Sequence, residues 1–177
     1  MLSARAALKT VPSTHKVTVN GQAVSPQAYN IDGYNYFKLR DIAFLLSGTT
    51  ASFDVQWNGE KNAIDLISGA VYTAVGGEMS VASSSTLRVQ ESTAKLLLDG
   101  SGVSIKGYNI HGTNYYKIAD VSTAMGFTAA FESATQTVQI KTPSAPDPEM
   151  QPEPDPEGPQ EPAEPEEPFV TGVYQVK

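Results

Sequence analysis

The chain has no cysteine, so neither a disulfide framework nor a thiolate metal site can be built from it. That absence does not fix a compartment. Histidine is scarce, with only His15 and His111, and Trp57 is the single tryptophan. Nothing approaches a run of roughly eighteen apolar residues, so no membrane span is expected. A basic stripe of the kind that holds nucleic acid is missing as well. The net charge of −7 is concentrated rather than spread: residues 143–168 hold nine carboxylates and no Lys or Arg, leaving 12 basic against 10 acidic side chains elsewhere. The foldable part is close to neutral, and a strongly anionic binding surface is not expected either. The amino terminus lacks the apolar core of a signal peptide, although Ala4-Arg5-Ala6 has the form of a cleavage site. Residues 1–14 read either as a short disordered leader or as the remnant of a signal region.

What the chain does have is a duplication. Residues 24–41 read VSPQAYNIDGYNYFKLRD, and 79 residues later 103–120 read VSIKGYNIHGTNYYKIAD. The match extends back to Ser13 and Ser92. A site present in only one copy is therefore not what the duplicated unit is built around. Within each copy, Asn20-Gly21 or Asp99-Gly100 marks a tight hairpin, because both turn residues must take positive φ. A second turn falls at Asp32-Gly33 or His111-Gly112, and a strand comes next over Tyr34–Lys38 or Thr113–Lys117. Leu39, Ile42, Leu45 and Leu46 then share one face of a short helix, as do Ile118, Val121 and Met125. Gly48 and Gly126 are the expected stops. A hairpin closes the unit, with Phe53, Val55 and Trp57 alternating before Asn58-Gly59, and Trp57 is expected to be buried. Here the offset falls from 79 to 74, which assigns a loss of five residues to the loop near Gly59.

The expected fold is α+β. Two tandem repeats, 15–80 and 81–142, each place about five antiparallel strands on one short helix. Stretches 70–75 and 86–90 read as extra strand material around a soft Gly/Ser segment. Ten of the twelve prolines lie in 143–168, interleaved with Asp and Glu, which marks a disordered acidic linker. At about 3.1 Å per residue such a linker could reach roughly 80 Å. Residues 169–177, FVTGVYQVK, alternate like the start of a further domain.

The strings YNIDGYNYFKLRDIAFLLSG, FDVQWNGEKNAIDLISG and VYTAVGGEM resemble the copper amine oxidase N-terminal-like, or stalk, domain family. Residues 15–80 carry the stronger likeness and 94–141 the weaker one, since Ala119 replaces Arg40 and Phe131 replaces Trp57. The resemblance implies a non-catalytic module, often in tandem, of secreted and surface proteins of Gram-positive bacteria. It implies a small antiparallel sheet packed on one helix, and no cofactor. FVTGVYQVK is similar to the opening of SH3-like wall-binding domains.

The residues do not support the chemistry in the family's name. A transition-metal centre needs several convergent ligands. His15 aligns with Ala94 and His111 with Asp32, so neither histidine is shared between copies. Asn35-Tyr36-Phe37 and Asn114-Tyr115-Tyr116 lack the acid of a quinone-forming motif. The pairs Lys38/Asp41 and Lys117/Asp120 recur, and read as a strand end in solvent followed by a carboxylate opening a helix. No nucleophile elbow, phosphate loop or carboxylate pair stands out. The remaining candidates are aromatic: Tyr34, Tyr36, Phe37, Tyr115 and Tyr116 could stack on a ligand if strand alternation exposes them. The expected function is that of a non-enzymatic extracellular spacer that projects or anchors an attached carboxy-terminal domain. The alternatives are a module binding wall polysaccharide or peptide, and the accessory region of a secreted wall hydrolase.

Overall fold

A computed structural model describes residues 8–81 and 88–144. They belong to one compact unit; the linker after Ser144 and the 169–177 segment lie outside the described residues. In the first copy, strands β1 (Thr10–Pro12), β2 (Lys16–Val19), β3 (Gln22–Val24), β4 (Ala28–Ile31) and β5 (Tyr34–Lys38) lead into helix α1 (Leu39–Leu46). Strands β6 (Phe53–Asn58) and β7 (Ala63–Ser68) close the copy. The second copy repeats this order as β8 (Val89–Glu91), β9 (Lys95–Leu98), β10 (Ser101–Val103), β11 (Gly107–Ile110), β12 (Thr113–Lys117), α2 (Ile118–Met125), β13 (Thr128–Glu132) and β14 (Thr137–Lys141). The class is α+β, with mostly antiparallel sheets and two short helices.

The turn chemistry is as the sequence requires. Asn20-Gly21, Asp32-Gly33, Asp99-Gly100 and His111-Gly112 all place both residues at positive φ. Each helix spans only eight residues, too short to persist without tertiary support. That support comes from apolar residues on one face, among them Ile42 and Leu46 of α1 and Val121 of α2, all fully buried.

The sheets depart from the expectation of one sheet per repeat. The order of the central sheet is β1-β4-β5-β12-β11-β8, three strands from each copy. At its middle β5 and β12 run antiparallel, with Phe37 facing Tyr116, Tyr36 facing Lys117 and Lys38 facing Tyr115. Phe37 and Tyr116 are counterparts in the duplication, and the two flanking pairs are exchanged with each other about them. Equivalent residues facing across one axis is the contact of a two-fold dimer, here made within a single chain. The two outer sheets, β10-β9-β7-β6 and β13-β14-β2-β3, are exchanged: the first hairpin of one copy joins the last hairpin of the other. Parallel pairs make the junctions, β7 on β9 and β14 on β2. No strand pattern could announce this, because a hairpin alternates the same way whichever partner it takes.

Three local expectations are also corrected. Thr10–Pro12, inside the presumed leader, forms an edge strand on β4, where a proline costs no ladder bond. The segment 70–75 is not strand. The five-residue difference between copies does not sit near Gly59, since both closing hairpins turn through four residues. It lies instead before β6: six residues, 47–52, join α1 to β6, whereas only Gly126 and Phe127 join α2 to β13, and β13 is one residue shorter. Gly126 at φ 74° ends α2 in a left-handed turn, which makes the short connection feasible.

The main core lies between the helices and the sheets, around Phe37, Ile42, Leu46, Phe53, Leu66, Tyr116, Val121, Val138 and Ile140. A second cluster on the central sheet is built only from duplicated pairs: Tyr29 with Tyr108, Ile31 with Ile110, and Tyr36 with Tyr115. Its rings cross the two-fold. Tyr29 meets Tyr115 edge-on at 4.9 Å, and Tyr108 meets Tyr36 at 5.3 Å. Such pairs contribute about 1 kcal/mol each beyond their buried area.

Candidate functional site

The two-fold generates two equivalent clefts where the copies meet. One is lined by Lys38, Leu39, Arg40, Val55 and Ile64 of the first copy and by Gly112, Thr113 and Asn114 of the second. The other is lined by Lys117, Ile118, Ala119, Ala129 and Val138 of the second copy and by Gly33, Tyr34 and Asn35 of the first. Every residue in the first set has its counterpart in the other. The volumes are about 480 Å³ and about 160 Å³.

In the first cleft the recurring Lys/Asp pair is buried and used. The Lys38 side chain is 12% exposed and that of Asp41 fully buried, with Nζ 3.2 Å from Oδ2. Lys38 is not the solvent-facing strand end the sequence implied; Asp41 does lie in the first turn of α1, although no side chain caps the helix. The partner is residues 70–81, a strap that continues from β7 and passes the start of α1. Met79 N–H donates to Asp41 Oδ1 at 3.0 Å, and Lys38 Nζ donates to the Ser80 carbonyl at 3.0 Å. Burial raises the Asp41 pKa, opposed by the Met79 N–H and by Lys38. Upstream, Thr73 N–H donates to Asp54 Oδ1 at 3.0 Å, and the Tyr72 hydroxyl donates to Glu78 Oε1 at 2.6 Å. Val75 N–H donates to the same Glu78 oxygen at 2.8 Å. Those two donors, Tyr72 first, pull the Glu78 carboxyl down to about 2. Burial lifts the Tyr72 phenol, and the Glu78 bond adds to it, to about 12.

Of the equivalent pair only Lys117 lines the second cleft, and the pair is more exposed. Lys117 Nζ lies 3.9 Å from Asp120 Oδ1, and the Asp120 side chain is 40% exposed. Lys117 also sits 3.9 Å above the Tyr34 ring, where Thr113 in the first cleft offers no ring. Phe131 packs on His15 at 4.6 Å on the far wall, and His15 Nδ1 lies 2.9 Å from Asn35 Oδ1.

Of the aromatic candidates, only Tyr34 is exposed, at 55%. Tyr36, Phe37, Tyr115 and Tyr116 are almost completely buried and are corrected to core positions; Tyr116 forms part of the floor of the first cleft. Their duplication reflects the two-fold joint, not a repeated ligand contact. Burial raises the phenol pKa of Tyr36 to about 12 and that of Tyr115 further, so both stay neutral and serve as packing groups. Trp57, expected inside, is 61% exposed, and its counterpart Phe131 is 47% exposed. Among the described residues no group of three or more His, Cys, Asp or Glu is placed to hold a metal. No described helix is long and apolar enough to cross a membrane.

Comparison with known proteins returns no match: no family model, curated protein or solved structure matches the chain.

Proposed function

We propose that the chain is a non-catalytic, extracellular positioning module of the stalk type, projecting or anchoring an attached domain at a Gram-positive surface. The observation that carries it is the exchange of hairpins between the copies. The pairs β5–β12, β7–β9 and β14–β2 leave neither copy a complete set of sheets of its own. A body tied this way resists separation of its halves, which suits a load-bearing base. The acidic linker would then supply the reach. The test is surface display in a Gram-positive host, with an epitope placed after Lys177. Exchanging residues 8–144 for an unrelated rigid domain of similar size should leave staining of intact cells unchanged. Loss of staining that only this fold restores would sink the spacer function.

A second function, binding of wall polysaccharide or peptide, is favoured by one observation: the second cleft is open, with Tyr34 and Phe131 exposed at its walls. Retention of the purified protein on cell wall, compared with the linker alone, tests it.

A further inference from the structure

We propose that β2 and β14 form a mechanical lock, loaded in shear when the body is pulled between the chain entering β2 and the chain leaving β14; the proposal rests on the load-bearing function above and deepens it. Its basis is strand direction. The two strands run parallel, with Lys16 facing Thr137, Val17 facing Val138, Thr18 facing Gln139 and Val19 facing Ile140. The chain therefore enters β2 at one end of the pair and leaves β14 at the other. Force applied at those two points slides the strands along each other, so the evenly spaced ladder bonds carry the load together and must yield together. In an antiparallel pair the same two points lie at one end, and the bonds open one at a time.

The surroundings suit that load. β13 and β3 flank the pair in its sheet, so neither strand is an edge. Val17, Val19, Val138 and Ile140 are buried in the main core, which keeps water from one face of the ladder. At one end the Lys16 N–H donates to the Gln136 carbonyl at 3.0 Å, and at the other the Asn20 N–H donates to the Ile140 carbonyl at 2.8 Å. The Asn20 side chain then staples the exit of β14: Nδ2 donates to Thr142 Oγ1 at 3.0 Å, and Oδ1 accepts the Thr142 N–H at 2.9 Å.

The two-fold supplies an unloaded copy of the same device. β7 lies parallel on β9, and the Asp99 N–H donates to the Leu66 carbonyl at 2.9 Å. Asp99, the counterpart of Asn20, accepts the Ser68 N–H at 2.9 Å and the Ser68 hydroxyl at 2.6 Å. Both of these strands lie within the length of chain that the β2–β14 pair closes, so end-to-end force reaches them only after that pair yields. β1, three residues long and at a sheet edge, lies before the lock and does not share its load.

Single-molecule pulling on the full chain tests the lock, and the absence of cysteine lets handles be placed at will. Handles at exposed positions Thr14→Cys and Ser144→Cys load the pair in shear; Thr14→Cys with Ala134→Cys pulls both strands from one end and unzips it. The shear geometry should withstand a several-fold higher force. It should yield in one step that frees the chain from Lys16 to Lys141, about 440 Å at roughly 3.5 Å per residue. Asn20→Gly tolerates the positive φ and removes the staple, so unfolding at a fixed load in shear should quicken about tenfold. Asp99→Gly should shift the denaturant midpoint as much as Asn20→Gly while leaving that rate unchanged. Equal forces in the two geometries overturn the proposal. Shorter steps that precede the main one in shear, or Asp99→Gly quickening unfolding as much as Asn20→Gly, overturn it too. A chain without the force difference, whose fold an unrelated domain still replaces in surface display, loses this inference alone. A chain with the difference, whose fold cannot be replaced in display, keeps the lock and loses the spacer function.

Discussion

Lys38 and Asp41 in the first cleft, and Lys117 and Asp120 in the second, occupy the same places in the duplication. The first pair lies under a strap and carries two of its backbone groups. The second faces solvent beside exposed rings. Among the described residues, the difference is the strap that follows β7. After β7 the chain returns across α1; after β14 the described residues end at Ser144, where Thr50 Oγ1 donates to the Pro143 carbonyl. Identical residues thus became a structural clamp in one copy and an exposed surface in the other. A recurring motif specifies local geometry, and its environment decides whether that geometry is structural or free.

The largest effects test whether the copies are one body. Leu66 and Ile140 are counterparts, both fully buried, in the two exchanged sheets. Leu66→Ala and Ile140→Ala should each cost about 4 kcal/mol. Because each sheet contains strands of both copies, each substitution should shift one common denaturant transition. Two separated transitions, one moved by each substitution, would break the interleaved arrangement and return the molecule to independent repeats.

Next in size is the contrast between the two carboxylates. Asp41→Ala strands the largely buried Lys38 ammonium and leaves the Met79 N–H without its acceptor, at a cost of about 3 kcal/mol. Asp120→Ala removes an exposed partner of a 3.9 Å pair and should cost below about 1 kcal/mol. Equal costs, measured by chemical denaturation of both variants, would mean that the strap is not seated on Asp41.

Much of the local structure was legible in the sequence, and the limits have physical causes. The three Asx-Gly turns and His111-Gly112, the helix positions and the strand over Tyr34–Lys38 derive from φ requirements and periodicity, which are local. Hairpin exchange was not legible, because β2 alternates identically whether it pairs with its own copy or with β14. Trp57 was misplaced because alternation gives a face without saying how far the cover extends: Phe53 and Val55 on that face are buried, and Trp57 lies beyond. Tyr36 and Tyr115 looked like candidate ligand contacts because their other wall is supplied by the opposite copy. The role of Asp41 was hidden because its partner, Met79, lies 38 residues downstream in a segment without periodicity. The clefts themselves could be found only after the two-fold placed Gly112 to Asn114 against Lys38.

The smallest expected effect is an acid response confined to the first cleft. Glu78 has its pKa drawn from 4.5 to about 2, first by the Tyr72 hydroxyl and then by the Val75 N–H. For Asp54, burial pushes upward, but hydrogen bonds from the Thr73 N–H, Gln56 and the Val55 N–H outweigh it and leave the pKa lowered. A carboxylate with a depressed folded pKa adds stability above its unfolded value and loses it as pH falls through the folded one. Acidification therefore loosens the strap's tie to β6 through Asp54 and the turn inside the strap through Glu78, for which the window runs from about 4.5 to about 2. Asp41 has the opposite sign. Its raised pKa means the folded state binds that proton more readily than the unfolded chain, so acid does not weaken the fold through Asp41. Amide exchange, corrected for its intrinsic pH dependence, should accelerate several-fold at Thr73 and Val75 across that window. Gly33, Tyr34 and Asn35, in the cleft where no described strap is held by carboxylates, should keep their protection. Uniform acceleration at both clefts would show that acid loosens the joint between the copies, and the distinction between the two clefts would fall with it.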